Sequence, residues 1–383
     1  MFKKILIANR DEVAVRIIRA CKNMNIRTVS VCSSADLEAL HTNLAHESYC
    51  IGPPEIEKSY CNIDAILCAA VNSGADAIHP GYGFLADSAE LSRRCRELGI
   101  TFIGAPPELM EICADDQAAA AVMKEAGIPT SYKKLKSSPK LVDIQIARDN
   151  TGRIVIVGDR DTSISHDTNR LMGEAPAYGI LEKVRKKLYK AATAAAEVLD
   201  YVGIGSINFF VDKEGNFCFD RFVPRLQVGC AITELQSRID LVHWQIRLAA
   251  GDIMNFSENT LCRSGHAIGC RIFAVHPDTH HPSAGKLNIL HVPGGICVQF
   301  DTAMYQGCTI PREYQPLIGK LIVYARTRPP ALQKMKSALK EIVTDGVYNN
   351  SENYYEMLGS EAFVSGEYDI NSYRDFLEAK QDI

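Results

Sequence analysis

The sequence predicts an α/β protein with more than one domain, from its length and from two local patterns. The chain has 383 residues, 46% of them hydrophobic, so two or three domains are expected. Apolar runs at Ile5–Ala8 and Thr28–Cys32 flank a helical pattern over Glu12–Met24, which is typical of a βαβ unit in a parallel sheet. Two later stretches, 142–157 and 205–219, are interrupted by polar turns and predict hairpins.

Composition and charge exclude several classes of partner. Charged residues make up 23% of the chain, the net charge is -4, and no long run of lysine or arginine suggests a nucleic-acid or membrane surface. The 13 cysteines occur singly, and an odd number cannot all pair within one chain, so we predict a reduced, cytoplasmic setting. The apolar run at the start is too short for a signal-peptide core or a membrane span.

The remaining elements are predicted in chain order. At 75–83 a strand runs into a glycine-rich turn, which either lies beside a ligand or is a simple turn. A helix is predicted over Leu181–Leu199, between the two hairpins. After about residue 260 come short strands and turns, then a helix near Pro330–Val343 and a charged C-terminal tail. Neither a GxGxxG fingerprint nor a Walker A loop is present.

Five short segments, taken together, carry a family resemblance. They are ILIANR at 5–10, HPGYGFL at 79–85, GEAPA at 173–177, RLQV at 225–228 and IGKL at 318–321. In this order, and over nearly the whole chain, they resemble the biotin carboxylase component of biotin-dependent carboxylases. The resemblance implies an α/β fold with an N-terminal Rossmann-like domain over 1–112, an ATP-grasp module over 113–260 and a C-terminal mixed α/β domain over 261–383.

The resemblance also implies a reaction and an assembly. The family uses MgATP to activate bicarbonate and carboxylates a biotin held on a carrier protein. Its members usually form homodimers, and the helix at 12–24 resembles the dimer element because it keeps Arg16 and Arg19. Asn23 stands where the family often has an acidic partner, so one ion pair across the dimer is expected to be missing.

The family's lid over the nucleotide has no counterpart of sufficient length. In its place stand roughly ten residues, 131–140, whereas a domain needs about fifty or more. We therefore predict a connecting loop, which leaves a labile phosphate intermediate without cover. Its lysines, Lys133, Lys134, Lys136 and Lys140, either grip a phosphate or form a solvated surface.

Residues that the resemblance assigns to metal, nucleotide and biotin chemistry are replaced. The substituted positions are Asn208, Arg221 and Val223 for metal ligands, Asp116 and Leu141 for nucleotide contacts, Gly229 for the catalytic base and Gln299 for the arginine that steadies biotin. Mg²⁺ needs hard oxygen ligands, so this set predicts no metal site. Asp220 is adjacent to Arg221, but its side chain points to the opposite face of the strand unless a bulge intervenes.

Four residues match family positions around bicarbonate: Arg170, which replaces a lysine, and Arg225, Gln227 and Val228, which are retained. They either form a small anion site, or the two arginines pair with acids such as Glu174 or Asp220 and bind nothing. Three histidines, His276, His280 and His281, either ligate zinc or belong to a plain turn.

These substitutions predict a pseudoenzyme with no bound metal or cofactor. We expect a homodimer that acts as a scaffold or regulatory component, with a biotin carboxyl carrier protein or carboxylase subunits as candidate partners. Two alternatives stay open. One is ATP-independent carboxyl transfer or decarboxylation at a biotin carrier through Arg225, and the other is a small-anion sensor.

Overall fold

The N-terminal part of the chain folds around a parallel sheet. The computed structural model describes residues 1–166 and 169–381. The first elements are β1 (Lys4–Ile7), α1 (Asp11–Asn23), β2 (Arg27–Ser33), α2 (Leu40–Leu44), β3 (Glu47–Gly52), α3 (Ile63–Ser73), β4 (Ala77–His79), α4 (Ala89–Glu97) and β5 (Thr101–Phe102). The strand order β3-β2-β1-β4-β5 places β1 at the centre, where Ile5, Leu6 and Ile7 are fully buried. This is the predicted Rossmann-like arrangement.

The middle part supplies helices and the first half of a second sheet. Its elements are α5 (Pro107–Ala114), α6 (Asp116–Glu125), β6 (Lys140–Arg148), β7 (Ile154–Asp161), β8 (Ser165–His166), β9 (Asn169–Arg170), β10 (Met172–Ala175), α7 (Glu182–Leu199), β11 (Gly203–Val211), β12 (Phe217–Val223), α8 (Cys230–Ser237) and α9 (Leu241–Ala249). The predicted hairpins are the antiparallel pairs β6–β7 and β11–β12, and the predicted helix between them is α7. The polar turns between apolar runs located these strands to within a few residues.

The C-terminal part continues the same sheet. Its elements are β13 (His266–Phe273), β14 (Gly285–Lys286), β15 (Ile289–His291), β16 (Val298–Asp301), β17 (Thr309–Ile310), β18 (Leu317–Ala325), α10 (Arg328–Glu341), β19 (Val343–Asp345), α11 (Ser351–Met357), α12 (Glu361–Ser365) and α13 (Ser372–Gln381). The order β12-β11-β6-β7-β10-β13-β18-β16 is one eight-stranded sheet, joined where β10 pairs with β13. It therefore runs across residue 260, and the boundaries proposed at 112 and 260 stay predictions.

The end of the chain is not the charged tail that the sequence predicted. Helices α11, α12 and α13 bury Tyr354, Phe363 and Tyr373 against the C-terminal core. The prediction was wrong because the aromatic residues are spaced among many charges, which lowers the local hydrophobicity that marks a core helix. No helix in the described residues has the length and apolar character needed to cross a bilayer.

A short, anchored connection leads from α6 to β6. The stretch from Pro129 to Pro139 contains a single 3-10 turn, Tyr132–Lys134. It crosses the β11–β12 hairpin, because the amide of Phe219 donates to the Pro129 carbonyl at 2.7 Å and the Lys136 amide donates to Asp212 Oδ2 at 3.0 Å. Its far end is held by the Ile370 amide, which donates to the Pro139 carbonyl at 3.1 Å. No separate domain interrupts these described residues.

Candidate functional site

A cavity of about 220 Å³ lies between α8 and the large sheet. It brings together eight of the eleven residues that the sequence selected: Arg170, Asn208, Arg221, Val223, Arg225, Gln227, Val228 and Gly229. They come from β9, β11 and β12 and from the segment that leads into α8. The sequence thus selected eight of the twenty residues that line this cavity.

The other three residues do not line this cavity. Asp116 begins α6 and shares a separate cavity with Tyr132 and Arg221. Leu141 is buried in β6, and its amide donates to Ser163 Oγ at 2.9 Å. Gln299 lies in β16, where its Nε2 donates to Asp301 Oδ1 at 2.9 Å.

A row of four polar side chains crosses four neighbouring strands. Cross-strand register places Arg160 of β7 opposite Asp143 of β6, Asp143 opposite Asn208 of β11, and Asn208 opposite Arg221 of β12. Directly opposed residues lie on the same face of a sheet, so these four side chains are neighbours. Arg160 is completely buried, and its Nη2 lies 3.3 Å from Asp143 Oδ2. The row therefore holds two cations, one amide and a single carboxylate that is already paired.

Strand β12 has a bulge at Asp220, which is the condition under which the sequence allowed this side chain to change face. The register steps from the pair Asn208–Arg221 to the pair Phe209–Phe219, so Asp220 is the extra residue. Its Oδ2 lies 3.4 Å from Arg221 Nε. Burial raises the pKa of Asp220, and the Arg221 and Arg170 guanidinium groups oppose that rise. Asp220 is therefore the counter-ion of Arg221, which still occupies the position of the expected metal ligand.

The retained Arg225 is committed to an acid that the sequence did not suggest. Its Nε and Nη2 each donate to Asp87 across 2.7 Å, at Oδ1 and Oδ2 respectively. The acids predicted as its partners are occupied elsewhere. Glu174 accepts hydrogen bonds from His266 and Arg328, and Asp220 pairs with Arg221. Arg225 therefore forms a structural ion pair, as one alternative predicted, but its partner is Asp87 and not Glu174 or Asp220.

Gln227 is also engaged within the protein. Its Oε1 accepts a hydrogen bond from Arg160 Nη2, and its Nε2 donates to Asn208 Oδ1 at 3.3 Å. Gly229 is the N-cap of α8, and a Cβ added there would lie 3.2 Å from Arg160 Nε. Arg160 thus fills the space beside Gly229, so a side chain at 229 would require Arg160 to shift.

Sequence reasoning missed four polar residues that define this region: Asp143, Arg160, Arg271 and Lys320. Lys320 lies within the IGKL segment that was noted only for its resemblance. Its Nζ is 3.5 Å from Glu12 Oε2 and donates to Tyr82 Oη at 3.3 Å. Burial lowers the pKa of Lys320, but Glu12, Tyr82 and Asp301 together outweigh burial and raise that pKa well above the ordinary value. Lysine and arginine within strand-like runs are the signal that could have identified these positions.

The three histidines of the proposed turn do not converge. His276 Nδ1 accepts from the Asp278 amide at 3.3 Å, His280 stacks on His166 with ring centroids 5.3 Å apart, and His281 is exposed. Within residues 1–166 and 169–381, no group of three histidine, cysteine or acidic side chains is arranged to hold a metal ion.

Comparisons with known proteins agree with this architecture over the whole chain. Residues 1–110 match the N-terminal domain of biotin carboxylase, residues 98–256 match the ATP-binding domain of the carbamoyl-phosphate synthase L chain, and residues 269–375 match the biotin carboxylase C-terminal domain. The biotin carboxylase of Pseudomonas aeruginosa is 33% identical, with 99% of each chain aligned.

Solved structures give the same result. The Campylobacter jejuni biotin carboxylase, in a beta-gamma-ATP complex, superposes with a TM-score of 0.94 at 31% identity, and the match covers 98% of this chain and 99% of that one. The biotin carboxylase domain dimer of the Hydrogenobacter thermophilus 2-oxoglutarate carboxylase, with MgADP and bicarbonate, gives 0.93 at 30% identity and covers 98% of each. The chain belongs to the biotin carboxylase family. The Pseudomonas alignment spans 448 positions against 383 residues here, so at least 65 of those positions are gaps in this chain.

Proposed function

We propose that this chain is a non-catalytic member of the biotin carboxylase family that serves as a scaffold or regulatory component of a biotin-dependent carboxylase. The observation that supports this most is the row Arg160, Asp143, Asn208 and Arg221. Phosphoryl transfer from MgATP needs carboxylate and amide oxygens around the metal. Arg221 instead places a cation at that point, and the only carboxylate in the row is paired with Arg160.

Two further observations support the loss of turnover. The connection over 129–139 provides no closing domain, because it is bonded along its length to the β11–β12 hairpin and to the C-terminal segment. A reactive phosphate intermediate would therefore meet water. Gly229 offers no base for bicarbonate, and loss of a general base typically costs about 10²- to 10⁴-fold in rate.

The alternative of ATP-independent carboxyl transfer through Arg225 is less well supported. That arginine is held by Asp87 in a two-point ion pair, so its donors are not directed at a substrate. The fold, by contrast, is kept throughout, which favours a role in binding.

The proposal extends to a homodimer in the cytoplasm that contacts a biotin carboxyl carrier protein or carboxylase subunits. Of the two arginines on α1, Arg16 pairs within its own chain, 3.1 Å from Glu234 and 2.8 Å from Asp240. Arg19 is exposed and is the cation that remains for a partner chain. Light scattering at micromolar concentration should give twice the chain mass, and a monomer would contradict this part.

Turnover tests the central proposal. Phosphate release is measured with Mg²⁺, ATP, bicarbonate and free biotin, and the P. aeruginosa relative serves as the positive control. We expect no bicarbonate-dependent release from this chain or from the single variants Arg221→Glu and Gly229→Glu, since each variant leaves the other losses in place. Bicarbonate-dependent release by the unmodified chain would overturn the proposal.

The scaffold role has its own test. A tagged chain is recovered from native extract, and the eluate is probed with streptavidin for biotinylated protein. We expect a biotinylated partner in the eluate, and its absence at near-native salt would contradict a carrier-facing role.

A further inference from the structure

Arg271 is a cavity cation that forms no ion pair with an acid among the described residues. Arg271 on β13 lies directly opposite Lys320 on β18, and both line the cavity. Like charges at directly opposed positions destabilise a sheet unless they are compensated. Lys320 has Glu12 at 3.5 Å. In the described part of the chain, Arg271 donates only to neutral acceptors, the Arg170 carbonyl at 3.1 Å and Gln315 Oε1 at 3.0 Å.

One donor atom of Arg271, Nε, is buried and unsatisfied. Its Nε has no hydrogen-bond partner, and burial lowers the pKa of the guanidinium group below its ordinary value. A buried donor without an acceptor costs about 1–3 kcal/mol, more when the group is charged. An oxyanion in the adjoining cavity would supply the negative charge that the Arg271 guanidinium group lacks in an ion pair.

The cavity wall beside these cations is apolar. Gly173 of β10 and Gly269 of β13 are direct cross-strand partners, and Ile232 of α8 lies over both. A Cβ at Gly269 would lie 2.7 Å from Ile232 Cδ1, so the two glycines make room for that side chain. Ile322 and Met172 extend the apolar lining. The cavity thus has a cationic end and a hydrocarbon wall.

The cavity is larger than an inorganic anion needs. Its volume of about 220 Å³ corresponds to roughly seven waters at about 30 Å³ each. Arg225 and Gln227, which the resemblance assigns to bicarbonate, are already held by Asp87 and Arg160. The engaged donors of Arg225 and Gln227 and the volume of the cavity therefore favour an anion that also carries an apolar group.

We propose that this cavity binds a small organic carboxylate, whose oxygens accept hydrogen bonds from Arg271 and whose hydrocarbon part lies against Ile232 and Ile322. A planar guanidinium group suits a carboxylate because it can offer two parallel donors. This inference rests on the proposed function in one respect. If the site carries out no ATP-dependent or base-catalysed reaction, its role is to bind the carboxylate.

The test is calorimetry on the full chain with acetate, butyrate and hexanoate, the matching primary alcohols, bicarbonate and inorganic phosphate. We expect affinity to rise about fourfold for each buried methylene until the cavity is full, and the alcohols to bind far more weakly. Equal affinity along the acid series, tighter binding of bicarbonate or phosphate, or no binding of any acid would each overturn the proposal.

Variants locate the site. Arg271→Gln should weaken hexanoate binding at least tenfold, whereas the control Arg326→Gln, at an exposed arginine, should leave it unchanged. Because Arg271→Gln could disturb folding, Ile232→Ala provides a second readout. Loss of the Ile232 side chain enlarges the cavity, so the acid that binds most tightly should have a longer chain. Unchanged chain-length preference in that variant would contradict the assigned wall. These binding results do not depend on phosphate release, so either proposal can fail without the other.

Discussion

Arg225 and Asp87 form a two-point ion pair although they are 138 residues apart, with both donor–acceptor distances at 2.7 Å. Asp87 precedes α4 of the parallel-sheet part, and Arg225 lies in the segment that leads into α8 at the cavity. The pair therefore joins two parts of the chain and occupies an arginine that the resemblance assigns to bicarbonate. Retention of a family residue here does not imply retention of its role.

Asp87→Asn should release Arg225 at little cost in stability. Asp87 is 56% exposed, and ion pairs of this exposure contribute about 0–1 kcal/mol. We expect urea unfolding to change by less than about 1 kcal/mol, while calorimetry shows tighter bicarbonate binding than in the unmodified chain. Asp64→Asn removes an exposed pair with Arg94 elsewhere and is the matched control, which should leave anion binding unchanged. Unaltered bicarbonate affinity in Asp87→Asn would contradict a released arginine.

Arg160→Met should be strongly destabilising. The variant leaves buried Asp143 without its cation and removes donors to Gln145, Thr233 and Ser206. Breaking a buried pair from one side typically costs about 3–5 kcal/mol. Chemical denaturation measures this, and the milder Asp143→Asn, which keeps the other Arg160 hydrogen bonds, should cost less. Equal losses in the two variants would show that the network around Arg160 contributes nothing beyond the pair.

Glu174→Gln should reveal a pH-dependent contribution of the Glu174 carboxylate to the stability of the fold. Burial would raise the pKa of Glu174, but hydrogen bonds from His266 and Arg328 outweigh it and lower the pKa to about 2 from 4.5. A depressed carboxyl pKa stabilises the fold above the unfolded value, and the benefit is lost as pH falls through 4.5 toward 2. We expect the variant to be less stable by about 3 kcal/mol at pH 7, with the gap narrowing below pH 4.5. A difference in stability between the unmodified chain and the variant that stays constant down to pH 3 would refute this prediction.

Asp11→Asn should stabilise the protein at alkaline pH. Asp11 has φ of 61°, its Oδ1 is buried without a hydrogen bond, and burial raises its pKa from 3.8 to about 7. The unmodified chain therefore loses stability relative to the variant as pH rises from about 4 through 7. Thermal unfolding at pH 8 should favour Asp11→Asn by about 4 kcal/mol, and the difference should vanish near pH 4. The exposed Asp278→Asn is the control and should show no such trend.

Local patterns were sufficient for the first strands, for helices α1, α7 and α10 and for both hairpins. The helix α1 follows from periodicity, because a buried face must repeat with the geometry of its element. Strand β1 follows from its apolar run, and both hairpins follow from the polar turns that interrupt theirs. The C-terminal helices were missed, since their buried aromatics, Tyr354, Phe363 and Tyr373, are dispersed among charged residues. Single aromatic side chains become core residues only when another surface packs on them.

By itself, the sequence determined the family and the α/β architecture, and it predicted the short connection before β6. It also named Asn208, Arg221, Val223 and Gly229 as positions that the resemblance treats as replaced. Tertiary structure alone decided that Asp220 occupies a bulge, that Arg225 pairs with Asp87 and that Arg271 lines the cavity with no ion pair among the described residues. The physical reason is that residue identity is local, whereas charge compensation depends on strand register and on contacts between distant segments. A one-residue change in register reverses which face a side chain occupies, and no local pattern specifies it for a polar strand.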